Sequence, residues 1–368
     1  MEILETKDDR RWGELLNNIY PRDIFFTPEY AILFEKTRGE VRKNFGGKAH
    51  LLFCGNEENY IIYPFFKRKL SLLPFYSSMS ERGEEVFDSV SPYGYSGPLA
   101  RIRDRSITSS LWKAFLDKFH EYCIKERIVA EFVRFHPFIN NKGQLMEFCS
   151  RQLKEINRVV FVDLTASVED IWRDVDRDNR RKINKARRNG ITVHFERNLE
   201  SVMHFYEMYA ETMKRKEARP EYIFSKSFFY HVFKLLEGKA TLAVARYRGE
   251  DIASILHLHL SDFVHAFLAC SNSDYIKLHP NNLLFYESIM WAKREGYRIY
   301  NLGGGMKKND SLFFFKSAFS KSTLPFHIYT KIHDEDRYQE LCKERMRYRE
   351  RMGEERELRP DYFPLYRA

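Results

Sequence analysis

Lys316 stands inside Phe313-Phe314-Phe315-Lys316-Ser317-Ala318-Phe319, a short way after three consecutive glycines, Gly303, Gly304 and Gly305. An ammonium among phenylalanines is costly to desolvate unless it meets an anion or projects into a wet cleft. A glycine turn, whose bare backbone can bend sharply or approach a ligand closely, makes such a cleft. There Lys316 could hold a phosphate or carboxylate, or stabilise the oxyanion that forms during acyl transfer. Gly303 and Gly304 would be the floor of the site. The hydroxyls of Tyr300, just before the turn, and of Tyr93 and Tyr95, in Ser91-Pro92-Tyr93-Gly94-Tyr95-Ser96-Gly97-Pro98, could bind a polar ligand or carry a proton.

The second chemical feature is charge. Arg173 to Arg188 holds eight basic and three acidic residues. One reading is a solvated helix whose cations offset the negative end of its dipole before Gly190. The other is a phosphate-binding face in which Arg173, Arg177 and Arg180 follow helical spacing, with Arg181, Lys185 and Arg188 beside them. A third segment, Ser271 through Asn281 and Asn282, links a strand to a helix, where backbone amides can bind an anion and capping alone would also explain the asparagines. His257 and His259 share one strand face, but no acidic or cysteine ligand stands near them or His265 at a recognisable spacing, so no metal site is expected. No GxSxG, HExxH, P-loop or full GxGxxG occurs, and the three glycines alone do not make a dinucleotide fingerprint.

Periodicity says which elements must hold these groups. Leu283, Tyr286, Ile289 and Met290 share one face of a helix that Gly296 closes, and Tyr297 to Leu302 reads as the strand that delivers the glycines. Upstream, Thr241 to Arg246, Ile252 to Leu260 and Phe263 to Ala269 read as strands. The first half shows the same order: a hairpin from Leu51 to Lys67, the turn-rich 91–98 loop, a helix from Ile107 to Glu126 and a strand from Ile128 to Phe135. Thr27-Pro28 reads as an N-cap and first turn of a helix toward Thr37. Ser167 opens a helix that Gly190 closes, two more helices cover Leu199 to Lys216 and Lys226 to Glu237, and Asp336 to Glu357 reads as an exposed terminal helix. Two copies of one α/β unit follow, at 1–163 and 164–333, with 334–368 a charged helix and tail.

Composition agrees with a globular α/β (α+β) protein. The 368 residues exceed what one core usually organises, and 43% hydrophobic with 31% charged residues excludes wholesale disorder. No apolar window is long enough to span a membrane, and the charged start MEILETKDDRRW does not resemble a signal peptide, so a cytoplasmic location is expected. Five scattered cysteines fit a reducing compartment. A net charge of +9 favours anionic partners: nucleotides, nucleic acid or acidic lipid headgroups.

Taken in order, Arg180-Arg181-Lys182-Ile183-Asn184-Lys185-Ala186, Ala266 to Ser271, Pro280-Asn281-Asn282-Leu283-Leu284, Tyr300-Asn301-Leu302-Gly303-Gly304 and Phe315-Lys316 with Phe319 resemble the FemAB-like branch of the GNAT superfamily. The resemblance runs from about 160 to 325, and the 91–98 loop is similar to one in the first domain of such proteins. It implies two tandem GNAT-like domains, each a mixed sheet flanked by helices, and transfer of an acyl or aminoacyl group to an amine. It places Lys316 near the reaction centre or a substrate phosphate, and Arg180 and Arg181 on the basic helix. Members that build peptidoglycan cross-bridges join an amino acid from aminoacyl-tRNA to a muramyl-peptide precursor, while acyl-CoA users seat the pyrophosphate at a helix start, here Ser271 to Asn282.

The implied co-substrate is therefore acyl-CoA or aminoacyl-tRNA, with no tightly bound cofactor. The implied partners are a phosphate-bearing or lipid-linked acceptor, tRNA, and peripheral contact with the inner membrane face. Some cross-bridge enzymes carry a long helical arm in the second domain, and the stretch between Gly190 and Thr241 has room for two ordinary helices only. A binding module that recognises nucleic acid or anionic envelope lipid through the basic helix is the alternative.

Overall fold

A computed structural model describes residues 1–37, 47–76, 85–139, 142–219, 223–354, 358–359 and 362–368. In chain order the first elements are β1 (Glu2–Glu5), α1 (Asp9–Asn17), α2 (Pro28–Lys36), β2 (Lys48–Gly55), β3 (Tyr60–Lys69), β4 (Phe87–Val90), β5 (Leu99–Arg101), α3 (Thr108–Lys125), β6 (Ile128–Arg134) and α4 (Gly143–Cys149). There follow β7 (Leu153–Asp163), α5 (Val168–Asp174), α6 (Arg177–Arg188), β8 (Thr192–Glu196), α7 (Leu199–Arg215), α8 (Lys226–Leu235), β9 (Ala240–Tyr247), β10 (Glu250–Leu260) and β11 (Phe263–Ser271). The last are α9 (Pro280–Arg294), β12 (Ile299–Gly303), α10 (Ser311–Ser317), β13 (Thr323–Ile332) and α11 (Glu335–Arg351). Among the described residues, no helix is long and apolar enough to cross a membrane.

These elements form two units. The first comprises residues 1–20, 25–155 and 327–368, and the second residues 21–24 and 156–326. The first unit's sheet runs β1-β2-β3-β4-β6-β13, with β5 also on β3. The second unit's runs β7-β12-β11-β10-β9-β8. Each has one parallel pair in an otherwise antiparallel order: β4 with β6, and β11 with β12. In both, a long helix joins the parallel strands, α3 in the first unit and α9 in the second, because parallel neighbours need a crossover connection. The repeated order read from the sequence is thus a repeat of architecture, two mixed sheets with flanking helices.

The boundaries differ from 1–163, 164–333 and 334–368. β7 follows the first unit in the chain yet pairs with β12, Tyr300 opposite Val162. β13 follows the second unit yet pairs with β6, Tyr329 opposite Val133. The two closing strands are exchanged, and local propensity carries no information about which sheet a strand joins. Nor is the terminal helix simply exposed. Tyr338, Leu341 and Cys342 of α11 are buried against Leu70, Val86 and Val129 in the first unit, and residues 355–357 of the expected helix lie outside the described residues.

Several local signals were sufficient. Thr27 caps α2, its hydroxyl accepting from Tyr30 N, with Pro28 at the first turn. Gly296 takes φ +85° after α9, whose Leu283, Tyr286, Ile289 and Met290 all enter the core. That core, with Val160, Val162, Ile183, Ile255, Val264, Tyr300 and Leu302, is what fixes α6 and α9 against the second sheet.

Candidate functional site

The parallel pair of the second unit is short. Phe263, Val264 and His265 face Ile299, Tyr300 and Asn301, and beyond that point β12 ends at Gly303 while β11 continues along β10 as far as Ser271. The two strands therefore part at their carboxyl ends. Phe263 to His265 are buried, whereas Ala266 to Ala269 are partly open to solvent. An open notch between two strands, with one edge lacking a partner, is a natural ligand floor in an α/β sheet.

One side of the notch is the glycine turn. Gly303 takes φ +77°, which a side chain would strain. A Cβ on Gly304 would stand 2.6 Å from the carbonyl oxygen of Arg158, and one on Gly305 would stand 2.2 Å from Asp310 Oδ1. Each glycine thus has its own reason to be one. Asp310 caps α10 by accepting from Phe313 N at 2.8 Å and also takes the amide of Lys307 at 2.9 Å. Burial works against its charge, but these amides prevail and hold the carboxyl below its usual range.

The aromatic run is helical: it forms α10, and this aims Lys316 back at the turn. Its Nζ donates to the carbonyl oxygen of Gly304 at 2.7 Å. Desolvation pushes the Lys316 ammonium down to about 8 from an ordinary 10.5, with Asp310 opposing the shift and Lys216 adding to it. Phe313 and Phe315 pack on the core and Phe319 is fully buried, but Phe314 is 58% exposed. Lys216, at the carboxyl end of α7, is itself lowered by desolvation and by Arg215. Arg215 donates to the carbonyl of Ser271 at 3.0 Å. Sequence reading missed these two further cations, because at the end of an amphipathic helix Arg215 and Lys216 look like ordinary dipole partners.

The other side of the notch is the junction from Ser271 into α9. Asn281 Nδ2 reaches Ser271 Oγ at 3.3 Å, and Asn282 Nδ2 donates to Asn179 Oδ1 at 2.7 Å. Asn179 in turn donates to the carbonyl of Ala318, just past α10. The side chains of Ser271, Asn281 and Asn282 thus tie the start of α9 to β11 and, through α6, to the segment carrying Lys316.

The basic segment is two helices. The chain breaks at Val175, which turns to extended backbone and is buried, so Arg173 stands on α5 and does not continue the face of Arg177. Arg180 is also redirected. Its guanidinium donates to the carbonyls of Trp172 and Arg173 at 3.1 and 3.0 Å, closing the carboxyl end of α5, a structural post where substrate binding was expected. Arg177, Arg181, Lys185 and Arg188 are exposed and fall on one stripe of α6, at i, i+4, i+8 and i+11.

Two further expectations change. Tyr300 is fully buried, its hydroxyl 2.8 Å from His257 Nε2, and burial raises the phenol well above its usual range. β alternation turns residues 300 and 302 to the core while residue 301 faces the other way, so Tyr300 has no route to a proton at the notch. Tyr93 and Tyr95 lie in the first unit, where Tyr95 packs edge-on against Phe25 and the carbonyl of Tyr93 accepts from Tyr30. His257 and His259 are hydrogen-bonded inside the core and pushed down by burial, to about 3 and about 4, so both are neutral packing groups.

Residues 173–313 match the family model of the acetyltransferase (GNAT) domain. The matched residues all lie within the second unit. None of the curated proteins compared matches the sequence. Among solved structures, FemX superposes with a TM-score of 0.66 at 14% identity, covering 92% of this chain and 99% of that one. The protein L-PGS from Bacillus licheniformis gives 0.54 at 15% identity, covering 89% and 93%. The C-terminal domain of a protein assigned as a lysylphosphatidylglycerol synthetase from Agrobacterium fabrum gives 0.55 at 14%, covering 88% and 92%. Over 92% of its length the chain therefore has the fold of the FemAB-like GNAT branch.

Proposed function

We propose that the protein is an N-acyltransferase or aminoacyltransferase that forms an amide on an amine of a phosphate-bearing cell-envelope precursor, of peptidoglycan or amino-sugar type. The observation that carries this reading is the desolvated Lys316 ammonium, held on the Gly304 carbonyl one residue past the end of β12. Support for the envelope acceptor comes from the fold shared with FemX and with the lysylphosphatidylglycerol synthetase relative.

In the reaction, the acceptor amine attacks the carbonyl carbon of a thioester (acyl-CoA) or of an ester (aminoacyl-tRNA). The carbonyl π pair moves onto oxygen, and Lys316 stabilises that oxyanion, being desolvated and hence poorly neutralised by water. Collapse of the intermediate expels thiolate or alkoxide, and the proton lost from nitrogen passes through water to the leaving group. Lys216 and Arg215 add positive potential beside the notch, and the α6 stripe of Arg181 and Lys185 would draw in phosphate.

Purified protein offered acyl-CoA or charged tRNA separately, each with muramyl-peptide and amino-sugar acceptors, should give one amide product detectable by mass. If product forms from CoA alone, the tRNA donor is eliminated. If no donor and acceptor pair reacts, the proposal fails. The exposed stripe of α6 favours a second reading, a module that binds nucleic acid or anionic envelope lipid without turnover. Under it, Lys316→Met would leave all measurable function intact.

A further inference from the structure

We infer that Asp23, His265 and Asn301 are positioning residues for the Lys316 ammonium, acting through a hydrogen-bond chain whose donor–acceptor polarity fixes the glycine turn. Its kinetic consequence rests on the acyl-transfer reading above; its structural consequence does not. All three side chains belong to the second unit and are almost wholly buried, at 0%, 2% and 2% exposure.

The polarity can be read from the backbone inward. Gly303 N–H donates to the Asn301 side chain at 2.8 Å, so the atom receiving it is Oδ1. The Asn301 Nδ2 group then faces His265 Nδ1 at 3.0 Å and donates to it. A ring nitrogen that accepts carries no proton, so the His265 proton is on Nε2, directed at Asp23 Oδ2, 2.6 Å away. The other carboxylate oxygen of Asp23 accepts from Ile24 N–H at 2.6 Å. At each of these contacts one group donates and the other accepts, so the donor–acceptor sense runs in one direction from Gly303 to Asp23.

At its outer end the chain holds Gly303 at positive φ, and the next carbonyl, that of Gly304, grips Lys316 Nζ. The charged groups that bear on this ammonium are Asp310 and Lys216. An apolar trio would fill the same space without the desolvation cost of a buried carboxylate and imidazole. A directed chain does what apolar packing does not: it specifies which way one amide points.

The test inverts that polarity. In Asp23→Asn, the Ile24 amide keeps the side-chain oxygen, so the new NH2 faces His265 Nε2. The ring must then carry its proton on Nδ1, against the NH2 of Asn301, and turning Asn301 over sets that NH2 against Gly303 N–H. Along these four contacts no arrangement pairs every donor with an acceptor. Asp23→Asn with Asn301→Asp restores a donor and an acceptor at each link, with the direction reversed.

Competitive labelling with acetic anhydride, read peptide by peptide across pH, follows Lys316 without requiring turnover. Asp23→Asn should move its titration up from about 8 by roughly a unit or more as water reaches the loosened turn. It should lower kcat by about tenfold or more with KM changed less than about threefold, and the double variant should recover most of kcat. An unmoved Lys316 titration in Asp23→Asn, or a double variant no better than the single one, overturns the inference. If the wild type catalyses no transfer, the labelling still decides the matter, so failure of the reaction and failure of the chain are separate results.

Discussion

Lys316 Nζ and the carbonyl oxygen of Gly304 are 2.7 Å apart, joining the last turn of α10 to the end of β12. Among the described residues the ammonium has no carboxylate in hydrogen-bond contact; its direct partner is a neutral carbonyl, which leaves its positive charge largely available to a ligand. Lys316→Met keeps the length and apolar stem and removes the charge. It should reduce kcat/KM for acyl transfer by about 100-fold or more while the circular dichroism spectrum stays that of the wild type. Turnover within about threefold of the wild type would sink the catalytic assignment.

The same residue makes stability depend on pH, with a definite sign. Folding lowers Lys316 from 10.5 to about 8, so between those values the unfolded chain binds more protons than the folded one. Stability therefore rises with pH across that window, and the cost of holding the ammonium is fully present below it. Thermal melts of wild type and Lys316→Met should converge as pH climbs from about 8 to about 10.5, with the Met variant higher at neutral pH. In kinetics, a cationic role predicts that kcat falls on the alkaline side with an apparent pKa near 8. A rate that keeps rising through pH 9 would assign Lys316 to the base instead.

Gly304→Ala tests the turn without touching the charge. Its Cβ would lie 2.6 Å from the Arg158 carbonyl oxygen, a backbone atom that cannot rotate away. We expect a loss of about 1–3 kcal/mol in urea unfolding and a fall in kcat of about tenfold or more. Gly190→Ala, where nothing lies within 4 Å but φ is +82°, should cost stability alone.

The basic helices predict a separation of effects. Arg181→Ala and Lys185→Ala remove exposed cations, so KM for a phosphate-bearing substrate should rise by about threefold to tenfold, more at low salt, with kcat nearly unchanged. Arg180→Ala should do the reverse, lowering the melting temperature by uncapping α5 and leaving KM within about twofold. If Arg180→Ala raised KM at an unchanged melting temperature, it would return to the substrate face.

What the sequence made legible was local. A lysine among phenylalanines after three glycines named Lys316 and its turn, and the period of Leu283, Tyr286, Ile289 and Met290 placed α9. The order of elements revealed two units of one architecture. What it concealed depends on contacts remote in the chain. Asp23 meets His265 across 242 positions, and no pattern around either residue announces the other. The break at Val175 was hidden because the residues on both sides are helical and charged, and Arg180 looked like a ligand because a guanidinium capping a preceding helix has the same local spacing as one awaiting phosphate. Tyr300 was misread for a simpler reason: its neighbour Asn301 has the face toward the turn, and the residue one position away must look into the core.

The exchange of β7 and β13 bears on how the protein comes into being. All six strands of the second unit's sheet, β7 to β12, emerge from the ribosome before β13 and can assemble at once. The earlier-made unit cannot: its sheet lacks β13, and its buried Asp88 lacks Arg367, until translation has passed both. The portion synthesised first is thus the one completed last, and a nascent chain stalled before β13 would display the unpaired edge of β6 to whatever chaperone or neighbour is at hand.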